Sequence, residues 1–263
     1  MAEDDRIAAV FKRPFPQQVA AWRLRMAELI PTMRWTDVWQ AGHDRGFMVA
    51  GALKADLLAD LAEAVRRSIE EGRSLEEFRR DFRALVEKNG WHGWTGEGTK
   101  AGEAWRTRVI YRTNARTSFM AGRFAQLTEA GFPYWVYRHG GSLHPREHHL
   151  ELDGLILPSD HPFWQVWFPP NGWGCSCRVV GARSIEGARR VGGNPNVALP
   201  DNWQAPNPKT GAPEGIDKGW AYAPGASVAD EITTLVEAKR DVLPDALGEA
   251  FARAIAERLG QGE

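Results

Sequence analysis

The sequence predicts an α+β fold: a helical N-terminal region and a long central helix packed on a small, irregular, Trp-rich β domain, with C-terminal helices. Three observations carry this. Apolar residues recur at helical spacing through the first 90 residues and again over residues 103–130. Seven of the twelve tryptophans lie between Trp91 and Trp173, which suits a tightly filled core built around short strands and loops. Residues 192–225 are rich in Pro, Gly and Asn, and amphipathic spacing returns after them.

In the first region, Leu53, Leu57, Leu58, Leu61 and Val65 set a helix within residues 47–69, and Gly72 stops it. Ser74 and Glu77 have the spacing of a capping box, in which each satisfies the other's exposed backbone donor. The helix they open runs through Phe78, Phe82, Leu85 and Val86 to Asn89-Gly90, so the two helices form an antiparallel hairpin. Residues 91–98 are a glycine-rich connector. The long helix over residues 103–130 follows, ended by Gly131 and Pro133. Short strands are expected at 134–138 and 177–180, with weaker candidates at 155–157 and 166–168. An extended arm over 192–225 and helices over about 228–239 and 244–259 complete the chain. The expected divisions are 1–90, 91–190, 191–226 and 227–263.

Composition narrows the function classes. Hydrophobic residues at 43% and charged residues at 25% are globular values and exclude disorder over the whole length. A net charge of −1 gives no global drive toward nucleic acid. No apolar run approaches the roughly 20 residues that cross a bilayer, so no membrane partner is expected. MAEDDRIAAV lacks a basic stretch followed by an apolar one, and no secretory leader is expected. Two cysteines, Cys175 and Cys177, exclude a disulfide framework and suit reducing surroundings.

Two constellations bear chemistry. On the long helix, Arg108, Arg112, Arg116 and Arg123 fall within one narrow arc, and no acid sits three or four positions from the first three. Their partners come from elsewhere: water, the acids Glu147, Glu151, Asp153 or Asp160, a phosphate backbone, or an acidic protein. The stripe lacks interleaved base-stacking aromatics, which makes it a weak nucleic-acid signature.

The second constellation is residues 138–178, which hold five of the seven histidines and both cysteines. Three readings stand side by side. His149, His161, Cys175 and Cys177 offer imidazole and thiolate ligands that suit zinc, with both cysteines on one face if they lie in a strand. The single residue between them, Ser176, is fewer than structural zinc sites usually have. Alternatively Arg146, His149 and Asp153 form an acid–base group, although no nucleophile motif accompanies them. In the third reading the segment is packing: Phe163, Trp164, Trp167, Phe168 and Trp173 make a core, and Pro169-Pro170-Asn171-Gly172 is a rigid turn that delivers the Cys-Ser-Cys-Arg strand.

Ordered blocks along the chain resemble one known family. They include Tyr111-Arg112-Thr113-Asn114, Ala121-Gly122-Arg123, Pro133-Tyr134-Trp135, Arg146 with His149, Asp153-Gly154 and His161-Pro162-Phe163-Trp164. The most specific runs from Pro169 to Arg178, and Gly219-Trp220-Ala221-Tyr222-Ala223-Pro224-Gly225 ends the match. These blocks resemble the phage Mu F-like proteins, minor head or virion morphogenesis proteins of tailed bacteriophages and prophages. Two positions depart from the family pattern. Ser142 and His144 stand where members often carry aspartate and arginine, and Asn114 where glutamate is common.

The resemblance implies a non-enzymatic head component, found in the virion and in the bacterial host cytoplasm during assembly, with portal or capsid proteins as partners. It marks Arg112, Asn114, Arg146, His149, Asp153 and Arg178 as the family's polar positions. It also gives the arginine stripe a role, contact with the portal or with packaged DNA. A metal-dependent hydrolase or nuclease using the His/Cys segment, with zinc as its ion, and a DNA-binding protein of the head interior are the alternatives.

Overall fold

A computed structural model describes residues 14–228, 230, 231, 237 and 244–260. It has the expected α+β arrangement, with a central helix that belongs to two hydrophobic cores at once. α1 (Pro16–Met26) opens on a proline, whose missing N–H costs nothing in a first turn. β1 (Glu28–Leu29) and β2 (Gly46–Phe47) pair in parallel across a short 3-10 turn at Gln40–Asp44. α2 (Ala55–Glu70) and α3 (Leu75–Asn89) form the hairpin. The capping box at Ser74 and Glu77 is present, and Gly90 closes α3 in the left-handed region at φ 57°.

α2 starts eight residues later than the start of the window expected to hold it. Phe47 is taken by the β1–β2 pair, Gly51 turns the chain at φ 83°, and Leu53 is left exposed. Leu57, Leu58 and Leu61 of α2 pack against Phe78 and Phe82 of α3, with Trp22 of α1 in the same core.

α4 (Lys100–Glu129) is capped by Thr99, whose side chain accepts from the Gly102 amide at 3.0 Å. Thirty residues span about 45 Å. Ile110 is buried in the N-terminal core, while Met120, Phe124 and Leu127 are buried in the second core. At Gly122 the helix touches α1 so closely that a Cβ would sit 2.6 Å from the Gln18 backbone nitrogen.

The second core lies between α4 and the antiparallel sheet β4–β3–β5. β3 (Tyr134–Arg138) is central, pairing Trp135 with Leu157 of β4 (Ile156–Pro158) and with Gly181 of β5 (Arg178–Ala182). Two short helices, α5 (Glu147–Glu151) and α6 (Phe163–Trp167), fill the connections. Residues 166–168, expected as a weak strand, lie in α6 and its cap: Phe163, Trp164 and Trp167 reach the core from consecutive helical turns, which an alternating strand does not allow. α7 (Ile185–Arg190) packs behind β3 and β5.

The Pro/Gly-rich arm is more than a surface strap. Ala212, Ile216, Trp220, Ala223 and Ala226 are buried in the second core, so the arm completes it. α8 (Asp245–Gly260) matches the last expected helix. Most of the helix expected at 228–239 lies outside the described residues.

Candidate metal centre

His149, Cys175 and Cys177 converge beside the end of β3. Their ligand atoms lie within 4.8 Å of one another, all three residues are buried, and the thiols are free. α5 supplies the histidine, its turn fixed by the His149 amide donating to the Arg146 carbonyl at 3.0 Å. The cysteines come from the loop before β5. Neither lies within a strand, contrary to the same-face strand geometry expected; β5 begins only at Arg178, and the Cys175 amide instead closes a turn onto the Gly172 carbonyl.

Hydrogen bonding sets the imidazole's tautomer. Nε2 lies 2.8 Å from the Gly215 carbonyl, which can only accept, so Nε2 carries the proton. Nδ1 is left as a lone pair, 3.8 Å from Cys175 Sγ and 3.6 Å from Cys177 Sγ. A ring nitrogen freed by a carbonyl on its far side is the usual arrangement of a metal-ligating histidine.

The sulfurs are surrounded by donors. Backbone hydrogen bonds from Asn171 and Gly140 reach Cys175 and Cys177, and the Tyr137 hydroxyl lies against Cys177. A hydrogen bond from the Cys177 thiol favours the thiolate form of Cys175 and pulls its pKa down. That same bond, burial and the resulting negative charge push the Cys177 thiol up. Tyr137 is itself held neutral, chiefly by burial, and its hydroxyl donates to Asn171 Oδ1 at 3.0 Å. This donor set can hold a metal ion such as zinc.

The other expected ligand, His161, stands apart. Its Nδ1 accepts from the Phe163 amide at 3.1 Å and its ring lies 6.0 Å from Trp203, so it caps α6 and is not part of the cluster. The acid–base group of Arg146, His149 and Asp153 is not assembled either. Asp153 accepts from Arg138 Nε at 2.9 Å and the His139 amide at 2.8 Å, while Arg146 Nη2 donates to Asp217 at 2.7 Å.

The arginine stripe splits by position. Arg116 donates to the carbonyls of Ser176 and Cys177, and Arg123 to Val179, so the second half of the stripe clamps the cysteine loop and the strand that follows it. Burial lowers the pKa of both. None of the four expected acids is their partner: carbonyls left open by the irregular loop are nearer. Arg108 and Arg112 stay exposed, with no ion pair among the described residues. Asn114 donates to the Ile110 carbonyl at 2.9 Å, and Arg178 lies exposed at the start of β5.

Tyr137, Asn171 and Gly215 are the site residues that sequence reasoning missed. Asn171 alone carried a signal, as a polar residue inside the most specific motif block; it is fully buried.

Residues 59–180 match the family model described as "Phage Mu protein F like protein". This segment is similar to the Mu F-like family. Within the segment, Arg116 joins α4 to the Cys-Ser-Cys-Arg loop. The chain is 34% identical over 193 residues to the putative capsid assembly protein F of Escherichia phage Mu, covering 70% of this chain and 43% of that protein. It is 36% identical over 154 residues to the Mu-like prophage FluMu F protein of Haemophilus influenzae, covering 56% and 37%. The chain therefore spans less than half the length of these Mu F-like relatives. No solved structure matches it.

Proposed function

We propose that this Mu F-like protein is a minor head protein that acts structurally in assembling the head of a tailed phage or prophage, held to portal or capsid subunits. The observation that carries the reading is its similarity, over 193 residues, to a protein described as a putative capsid assembly protein. The architecture supports it: Arg146 ties the arm to the start of α5, Arg116 ties α4 to the cysteine loop, and the exposed Arg108 and Arg112 are left to face a partner or packaged DNA. Among the described residues no helix is long and apolar enough to cross a membrane. The protein acts in the host cytoplasm during assembly and stays with the virion head. Co-expression with the portal and capsid proteins of the same phage tests this: the chain co-sediments with assembled heads. Heads of normal yield and shape that form without it overturn the reading.

A zinc ion at His149, Cys175 and Cys177 is part of this proposal. Tetrahedral bonds of about 2.3 Å to sulfur and 2.05 Å to nitrogen place N and S about 3.6 Å apart. The two N···S separations here are 3.6 and 3.8 Å. The ion would clasp α5 to the loop before β5, with no fourth His, Cys or acidic ligand beside these three among the described residues. Elemental analysis of protein purified without chelators checks it: one zinc per chain is expected, and metal-free protein that keeps its full melting temperature overturns it.

A further inference from the structure

A second feature lies outside the His/Cys cluster, although Trp173, Gly219 and Trp220 of the motif blocks contribute to it. Three tryptophans, Trp35, Trp39 and Trp173, are each about 40% exposed, far more than rings of this size normally are in a folded domain. They stand together. Trp35 stacks on Trp39 at 6.1 Å and meets Trp173 edge-on at 5.8 Å, and Trp173 meets the buried Trp220 at 5.1 Å. Gly219, at φ 83°, lets the arm pass the rings; a Cβ there would sit 3.2 Å from Trp35.

These rings wall a cavity of about 100 Å³. An engineered apolar cavity of roughly 150 Å³ takes a benzene ring, so this smaller, open-mouthed one takes a single branched aliphatic side chain or part of an aromatic ring. Arg25 and Arg106, 2% and 7% exposed, also line it. Arg106 has no acidic partner among the described residues: its Nη2 donates to the Ala50 carbonyl, its guanidinium lies over Trp91, and its Nε is unsatisfied. Arg25 is only partly compensated. Nη1 donates to Thr117 at 2.6 Å, Asp44 is 3.9 Å from Nη2, and Nε and Nη2 make no hydrogen bond. Buried guanidinium donors without acceptors are rare, because each lost bond to water goes unreplaced. His43, also in the wall, is held neutral by burial and by Arg25 and adds no charge above mildly acidic pH. The site is thus apolar at its walls and carries an uncompensated positive charge, which is the complement of an apolar group bearing a carboxylate.

We propose that this cavity is a receptor for the C-terminus of a polypeptide whose last residue is apolar. The side chain fills the Trp-walled space and the terminal carboxylate takes the free donors of Arg25 and Arg106. The exposed rings of Trp35 and Trp39 flank the chain as it leaves. The occupant belongs to a partner protein, and the inference stands independently of the zinc and of the head-assembly reading, since it uses none of their residues' chemistry.

Calorimetry and tryptophan fluorescence on the full chain test it, with the peptides Ac-Gly-Ser-Gly-Phe and Ac-Gly-Ser-Gly-Leu as free acids and as C-terminal amides. The acids bind and quench the tryptophans, and the amides bind about tenfold more weakly or less, since a charge-assisted bond is lost. R106M removes the acid's advantage, and R106K keeps part of it. W35A with W39A weakens acid and amide alike. Should R106M fail to fold, the acid-to-amide ratio on the unmodified chain decides alone. Equal binding of acid and amide overturns the proposal, as does absence of binding at millimolar peptide. Phenylacetate binding without binding of either peptide overturns the polypeptide occupant and leaves a small-carboxylate site.

Discussion

Arg146 and Asp217, 71 positions apart, are joined by a 2.7 Å ion pair that fastens the Pro/Gly-rich arm to the start of α5. The same carboxylate accepts the Trp173 amide at 2.8 Å, and the Asp217 amide donates to the Asn171 carbonyl at 3.0 Å. Gly172 must lack a side chain because a Cβ there would sit 2.3 Å from the Asp217 carboxylate. One acid from the arm therefore fixes both ends of the turn that presents Cys175, and the arm's Gly215 fixes the imidazole opposite.

Replacing Asp217 with alanine leaves the Trp173 amide without its acceptor and Arg146 with only the Trp173 carbonyl. Because the pair is about one-third exposed, solvent screens part of the loss, and the expected cost is about 1–2 kcal/mol. The D217N variant keeps a side-chain carbonyl for the amide and costs less than half of that. Urea melts give the two values. Limited proteolysis should cut D217A faster within residues 192–225, and equal cutting would argue against the arm's dependence on this contact.

For the arginine stripe, stability and surface function separate by position. R116A leaves the Ser176 and Cys177 carbonyls without their shared donor and should cost about 2 kcal/mol. R116K recovers only part of it, because an ammonium lacks the flat fork that reaches both oxygens. R108A and R112A should stay within about 0.5 kcal/mol of the parent chain. If DNA is their partner, their loss flattens the salt dependence of binding instead. Melting curves that rank Arg112 with Arg116 would refute the division.

At the cluster, C175S and H149N should lose the bound zinc and melt about 5–10 °C lower, since ion binding contributes to folding free energy. H161N should retain one zinc per chain, because its ring serves the Phe163 amide and Trp203 instead. Metal content and melting temperature measured on the three variants separate the cluster from its neighbour in sequence. Loss of zinc from H161N alone would mean that a different ligand set is in use.

Legibility of this fold followed the range of the interactions. The capping box at Ser74 and Glu77 and the 30-residue α4 were readable because a helix writes its caps and periodicity into adjacent residues. Cys175 and Cys177 were readable as chemistry but not as geometry, since Gly172 and Gly174 hold them in a turn that resembles a strand only in composition. His161 looked equivalent to His149 because residue type does not reveal which backbone group a ring will meet. The Trp35, Trp39 and Arg106 cavity left no local mark. It exists only because α1, α4, the first loop and the arm converge, and Arg25 meets Thr117 across 92 positions.

That convergence also sets an acid sensitivity. His43 sits in the cavity wall, where burial and the Arg25 guanidinium pull its pKa down to about 4, against a smaller opposing effect of the Val38 backbone. In the unfolded chain the ring titrates near its ordinary 6.5. Between those values the unfolded chain binds a proton that the folded chain refuses, so stability falls as pH drops below 6.5 and stops falling on this account near 4. The full loss is roughly 3 kcal/mol. Asp44 next door works the other way: burial raises its carboxyl, which stabilises the fold where that carboxyl is protonated. Comparing the parent chain with H43N isolates the histidine, because both carry Asp44. Urea melts at pH 7, 5.5 and 4.5 should show the parent losing stability faster than H43N across this window. Parallel pH curves would mean that the folded protein admits the proton and that His43 has water within reach.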